Sequence, residues 1–575
     1  MKKFILATHL FIVSCLHAQN LSTSFEKSNG KETATYAECI AYYAKLDATY
    51  GSISMKTGDT TDAGYPLNVV MYSADKQFDP AVWHKQKKVV ILINNGIHPG
   101  EPDGIDASMM FLRDLASGKI KTPPNVAFAV IPVYNIGGSL NRNSFSRVNQ
   151  NGPESYGFRG NAQNLDLNRD FIKADSKNAC AFTKIYQWIN PDIFVDNHVS
   201  DGADYQYTMT LISTQHNKLQ GETGDFAHDV FDSALYRGMV QKNWPITPYV
   251  NVEGGDPGKG WTAFYEPPRY SSGYAALFEA IAFIPETHML KPFADRVWST
   301  YALEQTMMEQ ASIYATEIIT KRQNSLRTLQ NQKQFVLSWK PDTTRFDLIP
   351  FKGYEPGFKT SGVTGMQRMF YDHTKPFNKP VKFFNTYVPD KTVEKPKAYI
   401  IPQGWWSVID LLKINGVEMK RLAADTTIDV DCYHIDDYKS ITRAYEKHHR
   451  NYDIKLSTQN QSIKFLKGDY VIYTGQVHDR YIVETLEPLS DDSFFSWNFF
   501  DAILQEKEGY SDYRWEDVAA DYVQQHPELK KELEDKKKGD AKFAASSEAQ
   551  LNFVYKHSPY YEPAHNRYPV YRLVK

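Results

Sequence analysis

The sequence is poor in cysteine and carries no long apolar run beyond its first residues. Only four cysteines occur among 575 residues, too few for a disulfide framework, although a single bridge stays open for an exported protein. No later segment is apolar over the about 20 residues that a membrane-spanning helix needs. We therefore expect a chain that folds around ordinary hydrophobic cores and has no transmembrane segment.

Neither sign of charge dominates. The formal net charge is −3, which argues against general binding to nucleic acid or to an acidic membrane surface. A G-x-S-x-G nucleophile elbow is also missing, which argues against a serine hydrolase. Hydrophobic residues make up 42% of the chain, which is enough to bury large cores in several domains. The sequence does not indicate the oligomeric state.

Residues 1–18 have the pattern of a secretory signal peptide. A positive start at Lys2-Lys3 precedes a short apolar stretch, and Ala18 ends a small-residue cleavage site. The alternative is a lipobox that would attach lipid to Cys15. Either way we expect export, to the periplasm, the cell surface or the exterior.

Helical and strand patterns alternate between residues 35 and 325. This alternation predicts an α/β catalytic domain with a mixed, mostly parallel sheet flanked by helices. A charged helical run follows, after which the composition changes. We expect a C-terminal accessory region at 335–575 that is α/β or β-rich. Its many aromatic residues favour packing over a peptide- or glycan-binding surface.

Polar side chains follow three of the predicted interior strands. His98 and Glu101 come after the apolar run at 89–93, His198 follows the strand at 191–196, and Glu286 follows Ile284. In open α/β sheets, ligands bind beyond the carboxyl ends of the strands. Histidine nitrogen and glutamate oxygen are zinc ligands, and a catalytic zinc keeps three protein ligands plus a water. Each residue alone is typical of a structural histidine or an ion pair, but together they predict a metal site.

The segment 144–171 is too polar for a core element. A loop of this length in a compact domain is usually functional or disordered. Arg142, Arg147, Arg159 and Arg169 lie in or beside it. They form either a solvated basic surface or a clamp for a carboxylate, which a guanidinium matches with two parallel hydrogen bonds.

Four short motifs occur in a fixed order between residues 98 and 288: H-P-G-E at 98–101, D-L-N-R-D-F at 166–171, D-N-H at 196–198 and P-E-T-H at 285–288. The ordered set resembles the zinc metallocarboxypeptidases, the carboxypeptidase A-like family. The resemblance implies a carboxypeptidase-like fold with one zinc ion. It also implies hydrolysis of the last peptide bond of a peptide with a free C-terminus.

The resemblance also implies roles for single residues. The metal ligands would be His98, Glu101 and His198, and the general base would be Glu286. Asn168 and Arg169 would hold the terminal carboxylate of the substrate. Arg147, or Arg142 as the competing choice, would polarise the scissile carbonyl. Asp166 would orient His98.

Some positions depart from the family pattern. Gly100 stands where pancreatic members carry an arginine, and Tyr265, Tyr270 and Tyr274 compete for the tyrosine that covers the substrate. The preferred C-terminal residue therefore stays open. Two other functions also stay open: a zinc amidase or peptidase of the same family that acts on cell-wall peptides, and a non-catalytic peptide- or glycan-binding protein.

Overall fold

The structure is a computed structural model that describes residues 21–574. The predicted signal peptide at 1–18 and the competing lipid site at Cys15 lie outside the described residues. Within that range, Cys39, Cys180 and Cys432 are free thiols. None of the helices in 21–574 is long and apolar enough to cross a membrane.

One mixed sheet of nine strands organises the first half of the described chain. The first ten strands are β1 (Ile53–Thr60), β2 (Pro66–Tyr72), β3 (Val89–Asn94), β4 (Val126–Ile131), β5 (Ile193–Asp196), β6 (His198–Ser200), β7 (Met209–Ser213), β8 (Thr247–Pro248), β9 (Trp261–Thr262) and β10 (Ile281–His288). The order in the sheet is β1-β2-β4-β3-β5-β10-β7-β8, with β6 also paired to β10 and β9 outside the sheet.

The central strands β3, β4, β5 and β10 pair in parallel, whereas β1, β2 and β7 join antiparallel. Every residue of β3 and β4 is buried, as expected for parallel strands that are covered on both faces. Alternate residues face different cores: Val90 and Leu92 lie in one, and Ile91 and Ile93 in the other. The predicted α/β fold with a mixed, mostly parallel sheet is confirmed.

Helices cover both faces of this sheet. They are α1 (Ser24–Lys27), α2 (Tyr36–Thr49), α3 (Pro80–Lys85), α4 (Asp103–Ala116), α5 (Ile136–Leu140), α6 (Lys177–Ile189), α7 (Gly221–Asp225), α8 (Ser233–Gln241), α9 (Ser271–Ala276), α10 (Phe293–Ile313) and α11 (Ala315–Asn331). A π-helical segment at Phe226–Asp232 joins α7 to α8. Capping residues fix both ends of α6. The Ser176 side chain accepts a hydrogen bond from Ala179 N at the start, and Asn190 ends the helix in the left-handed conformation.

The remaining described chain is β-rich, with a helical lobe near its end. Its elements are β11 (Gln334–Pro341), β12 (Asp347–Thr360), β13 (Gln367–Phe384), β14 (Tyr387–Glu394), β15 (Ala398–Ile401), α12 (Trp406–Ile414), β16 (Lys420–Arg421), β17 (Thr426–Ser440), β18 (Asn451–Phe465), β19 (Tyr470–Tyr473), α13 (Asp479–Leu486), α14 (Asp512–Gln525), α15 (Pro527–Gly539), α16 (Ala541–Ala544), α17 (Ser547–Lys556) and β20 (Tyr571–Leu573).

Three further sheets arise from these strands. Six strands form the order β16-β19-β15-β20-β17-β18, β11 pairs with β14, and β9 extends the long β12–β13 hairpin. One hydrophobic core holds residues from both halves of the chain. Within it the rings of Phe278 and Tyr481 stack with centroids 5.8 Å apart. The division into 35–325 and 335–575 stays a prediction.

Candidate metal centre and active site

The first two candidate ligands lie in the turn that follows β3. Gly96 takes a φ of 64° at the start of this turn, a left-handed conformation that glycine adopts at little cost. Glu101 N donates to His98 O across 2.8 Å and closes the turn just before α4. The third candidate, His198, is the first residue of β6. The carboxyl ends of the parallel strands β3 and β5 therefore bring the three side chains together.

His98, Glu101 and His198 converge on one point. His98 Nδ1 lies 3.3 Å from Glu101 Oε1, and His198 Nδ1 lies 3.1 Å from Glu101 Oε2. One ligand atom from each residue falls within 4.8 Å of the others, and all three side chains are buried. Two ligands at about 2.1 Å from a tetrahedral ion would be about 3.4 Å apart. The donor set therefore fits a single zinc-like ion.

A carboxylate holds the far nitrogen of each histidine. Asp166 Oδ1 lies 2.9 Å from His98 Nε2, and Asp196 Oδ2 lies 3.1 Å from His198 Nε2. These partners favour the tautomer with its proton on Nε2, which leaves the Nδ1 lone pair for a metal. Asp166 is where the sequence predicts it. The contact of Asp196 was not predicted, although its place two residues before His198 puts both on one face of an extended chain.

Two carboxylates of the site, Glu101 and Asp166, are held in the ionised form. Burial opposes ionisation of Glu101, but the neighbouring His98 and Arg147 keep the pKa of its carboxyl well below the usual range. Burial also opposes ionisation of Asp166, where His98 and then Arg159 hold the pKa below its ordinary value. The centre therefore offers an anionic donor set suited to a divalent cation.

Glu286 lies next to His198 in the sheet. The parallel register of β6 and β10 pairs the two residues, so their side chains leave the same face. The sequence predicts that the strand ends at Glu286, but β10 continues to His288. Within residues 21–574, no hydrogen bond or ion pair holds the Glu286 carboxylate. Burial raises the pKa of this carboxyl to about 8, against an opposing effect of His198.

Two of the four predicted arginines contact the donor set. Arg147 Nη1 donates to Glu101 Oε1 across 2.8 Å, and its side chain is 14% exposed. Arg159 donates from Nε to Asp166 Oδ2 across 3.0 Å, has Nη1 3.4 Å from His98 Nδ1, and is 44% exposed. Arg142 instead donates to backbone carbonyls, the shortest bond being 2.8 Å to Ser155 O. Of the two candidates for the carbonyl partner, Arg147 and not Arg142 reaches the donor set.

The side chain of Arg147 also occupies the space beside Gly100. A Cβ atom at Gly100 would lie 2.7 Å from Arg147 Cδ. No side chain at position 100 fits while Arg147 keeps this place. The space beside Gly100 is thus filled by a guanidinium-bearing side chain that arrives from the loop.

Asn168 and Arg169 lie in the 3-10 turn Leu167–Arg169, which Asp166 caps by accepting from Asn168 N across 2.9 Å. The guanidinium of Arg169 lies over the ring of Tyr270, 4.4 Å from its centroid. Asn168 Oδ1 is buried with no hydrogen-bond partner among the described residues. Arg169 therefore presents a cation, and Asn168 a free polar group, on the Asp166 side of the donor set.

The three competing tyrosines differ in their surroundings. Tyr274 is fully buried and donates to Asn415 Oδ1 across 2.6 Å. Tyr265 stacks on Tyr387 at 5.2 Å and donates to Asp491 Oδ2 across 3.3 Å. Of the three, Tyr270 alone lies against the predicted substrate residues, through Arg169.

His288, two residues beyond Glu286, is fully buried. Its Nε2 lies 3.0 Å from Ala203 O, and its Nδ1 accepts from Leu290 N across 3.2 Å. Burial lowers the pKa of the imidazole to about 4. Both nitrogens are therefore used in holding loops, which gives His288 a structural place.

The C-terminal region also reaches the site, which the sequence did not indicate. Glu446 Oε2 accepts from Asp166 N across 2.8 Å. His448 Nε2 lies 2.7 Å from Asp175 Oδ2 in the segment that follows. The backbone of the residue that orients His98 is therefore held from outside the predicted catalytic domain.

No protein-family model matches the chain. Among curated proteins, carboxypeptidase 2 of Trichophyton rubrum is 20% identical over 434 residues, which cover 72% of this chain and 74% of that protein. The carboxypeptidase 2 of Trichophyton equinum is also 20% identical, over 432 residues. These matches and the convergent His-Glu-His set agree with the resemblance of the ordered motifs. The chain is thus similar in sequence to proteins named as carboxypeptidases.

Solved structures that resemble this chain include the carboxypeptidase A of Helicoverpa armigera. It is 14% identical with a TM-score of 0.38, and the match covers 49% of this chain and 74% of that one. A metallo-carboxypeptidase from Burkholderia cenocepacia gives a TM-score of 0.36 at 14% identity, and covers 48% and 69% of the two chains.

Proposed function

We propose that the protein is a zinc metallocarboxypeptidase that removes the last residue from peptides with a free C-terminus. The observation that carries this proposal is the convergence of His98, Glu101 and His198 beside the unpartnered carboxylate of Glu286. Asn168 and Arg169 would complete the site as the part that recognises the substrate. Metal ligands, a base and an anion clamp are the three parts that such a reaction needs.

The metal would be held by Nδ1 of His98 and of His198 and by the carboxylate of Glu101. A bound zinc ion would supply Lewis-acid chemistry and lower the pKa of a water molecule to about 7. The chain holds the ligands in place beforehand, since Asp166 and Asp196 fix the far nitrogens. Such outer partners commonly set both the orientation and the basicity of a ligating histidine.

Glu286 would take a proton from the attacking water and give it to the leaving amine. General acid–base transfer of this kind contributes about 10²–10⁴-fold to a rate. Burial raises the pKa of the carboxyl to about 8 in the protein alone, and a nearby cation would lower this pKa by favouring the ionised form. The carboxylate is free to act, because no partner within the described chain holds it.

Arg147 would donate to the oxygen of the scissile carbonyl as negative charge develops there. Loss of one such donor costs about 2.7–4 kcal/mol in transition-state stabilisation. Arg159 is the matched comparison, since it also lies at the donor set but is more exposed. Replacing each by lysine in turn identifies the donor: the true carbonyl partner lowers kcat with little change in KM, and the other does not.

Asn168 and Arg169 would hold the terminal carboxylate of the substrate. A guanidinium binds a carboxylate through two parallel hydrogen bonds, and the fixed orientation makes the attack effectively unimolecular. The buried Asn168 Oδ1 has no partner within residues 21–574, so the amide is free to turn its donor towards that carboxylate.

A pair of peptides tests the proposal. The two share one sequence, but one ends in a free carboxylate and the other in a carboxamide. Mass spectrometry should show loss of one C-terminal residue from the free peptide alone, and a chelator should abolish it. Equal cleavage of the amide would contradict the clamp and favour an enzyme that acts on other amides, such as cell-wall peptides. Chelator-resistant cleavage would contradict the metal.

We also propose that the protein is exported, on the basis of residues 1–18 alone. N-terminal sequencing of the protein from culture fractions tests this. A mature start at Gln19 supports cleavage after Ala18, and a lipid-modified Cys15 supports the anchored alternative. An intact Met1 in a cytoplasmic fraction would contradict export.

A further inference from the structure

A cavity of about 420 Å³ lies at the edge of the main sheet, beside β7, the strand that pairs with β10. Its walls come from the end of β7, from the π-helical segment and α8, and from the β12–β13 hairpin of the C-terminal region. A volume of this size falls within the range of small-molecule pockets, about 300–1,000 Å³. The metal-centre function described above makes no use of it.

One carboxylate in this cavity has no partner. Asp232 is the last residue of the π-helical segment, is 9% exposed, and leaves Oδ1 without a hydrogen bond to any described residue. Ser213, on the facing strand end, lies close enough to Asp232 to lower its pKa, but Ser213 Oγ also makes no hydrogen bond of ordinary geometry to a described residue. Leaving such groups buried and unsatisfied is costly to the folded protein. π-helical turns are also frequent at functional sites, so the arrangement indicates a ligand.

His228 and Asp347, two other titratable groups of the cavity, already have partners. His228 Nδ1 lies 2.7 Å from Asp229 Oδ1, and Asn385 Nδ2 donates both to His228 Nε2 across 2.9 Å and to Asp347 Oδ2 across 2.7 Å. Asp232 is therefore the carboxylate left over for a ligand.

The charge of the cavity is one-sided. Among the described residues that line it there are two aspartates and no lysine or arginine. Arg345 is close enough to act on His216, but it pairs with Asp342 at 2.9 Å. Burial raises the pKa of Asp232 to about 7, against opposing effects of Ser213 and His228, so burial outweighs the stabilisation that the described residues give to the ionised form. A cavity lined with charges of this sign favours a cation as its ligand.

Aromatic rings make up much of the remaining surface, from Tyr236, Tyr249, Phe264 and Phe383. Aromatic faces attract ammonium and guanidinium groups, because the negative face of the ring meets the positive charge. We propose that this cavity binds a small organic cation, an alkylammonium or alkylguanidinium, with its charged head on Asp232 and its carbon chain against the rings.

The cation can be a free molecule or a basic side chain of a peptide held at the metal centre. A row of rings links the two places: Tyr249 lies 6.1 Å from Phe264, Phe264 lies 5.6 Å from Tyr270, and Arg169 lies over Tyr270. Only the second source rests on the proposed function. Binding of a free cation does not depend on hydrolysis, so the failure of one proposal can be told from the failure of the other.

Titration calorimetry on the metal-loaded, full-length mature protein tests binding directly. The probes are butylguanidinium and butylammonium, which lack a carboxylate and so avoid the clamp at Arg169, with butanol as the neutral control. We expect both cations to bind and butanol not to bind. Asp232→Asn should weaken cation binding at least tenfold, whereas Glu222→Gln, an exposed loss of one charge on the nearby α7, should not change it. Ser213→Val, which puts a branched apolar side chain opposite Asp232, should also weaken binding.

Steady-state kinetics identify whether the bound cation is a substrate side chain or a free molecule. The ratio of kcat/KM for peptides that end in arginine and in leucine is measured for the wild type and for Asp232→Asn. A tenfold or larger fall in this ratio assigns the cation to the substrate side chain, and an unchanged ratio with lost probe binding assigns it to a free ligand. The proposal is overturned if Asp232→Asn binds the probes as the wild type does. It is equally overturned if the wild type binds neither cation and the ratio does not change.

Discussion

Two carboxylates outside the donor set decide how its histidines are presented. Asp166 and Asp196 each hold an Nε2 atom, so Nδ1 of both rings faces Glu101. Either imidazole, without its carboxylate, could take the other tautomer or rotate, and would then offer an N–H where a metal needs a lone pair. Metal affinity therefore depends on residues that would not touch the ion.

We expect Asp196→Asn to weaken zinc binding by about 10–100-fold, the usual effect of losing such a partner. Competition with a chromophoric chelator measures this affinity. Asp201→Asn is the matched control, since Asp201 is exposed and only bonds to the neighbouring Gly202 N. Equal affinities for the two variants would show that Asp196 has no part in holding the metal.

Glu286→Gln separates metal binding from turnover. The amide keeps the shape of the side chain but cannot accept a proton, so we expect kcat to fall by about 10²–10⁴-fold. Zinc content should stay as in the wild type, because Glu286 is not among the converging ligands. Metal analysis together with steady-state kinetics checks both results, and a variant that retains full turnover would remove Glu286 from the mechanism.

A buried carboxyl on α10 should make stability fall with rising pH. Burial raises the pKa of Glu304 from 4.5 to about 8, and Ser108 Oγ donates to it across 2.5 Å. Between these pH values the unfolded chain has lost the proton and the folded chain has kept it. The folded state thus binds more protons, and its stability falls as pH rises, by on the order of 1.4 kcal/mol per pH unit.

We expect Glu304→Gln to flatten this dependence and to be more stable than the wild type at pH 8. Urea unfolding at pH 5 and pH 8 gives the four free energies that are needed. The pH-dependent part assigned to Glu304 is the difference between the two slopes. Parallel slopes in the two proteins would show that Glu304 is ionised in the folded state.

At the residue scale, the sequence predicts groups within motifs better than groups in loops. His98, Glu101 and Glu286 follow apolar runs, so sheet topology alone brings them together. Arg147 and Arg159 lie in a long polar loop without periodicity, and their reach to Glu101 and Asp166 depends on a backbone path that no local pattern encodes.

Strand β10 and helices α4 and α10 form the frame behind the site. Thr287, whose side chain leaves β10 on the face opposite Glu286, donates to Asp103 Oδ2 across 2.5 Å. Arg296 on α10 is fully buried and donates to the same oxygen across 2.9 Å. Its Nη2 also donates to Gly152 O across 2.8 Å, in the loop that carries Arg147. One guanidinium thus joins a strand, two helices and the loop.

We expect Arg296→Leu to lower the free energy of unfolding by about 3–5 kcal/mol, because it leaves Asp103 charged and buried without its partner. Arg345→Leu is the control, since Arg345 pairs with Asp342 but is 64% exposed, and exposed pairs contribute about 0–1 kcal/mol. Chemical unfolding followed by circular dichroism measures both. Similar losses in the two variants would contradict the structural importance of the buried pair.

At the element scale, regular patterns predict well and exposed strands do not. Helix α4 spans Asp103–Ala116, a segment whose apolar residues recur at the helical spacing that predicts a helix from sequence. The β12–β13 hairpin gave no such signal. Many of its residues are exposed on both faces, so the alternation that marks a half-buried strand is missing, and cross-strand pairing decides its structure.

At the scale of the whole molecule, the C-terminal region is part of the site's surroundings. It supplies Glu446 to the backbone of Asp166, the hairpin wall of the edge cavity, and half of a shared hydrophobic core. Contacts between residues so far apart in sequence leave no trace in local pattern. The fold class of this region could be predicted from its strands and helices, but its contribution to the site could not.

The metal content of the purified protein tests the central claim most directly. Mass spectrometry of the metals should find one zinc ion per chain in the wild type, and near none in His98→Ala and His198→Ala. His557→Ala, which removes an exposed histidine after α17, should keep the full amount. A wild-type protein that binds no divalent metal, or a His198→Ala variant that keeps one ion per chain, would contradict the account.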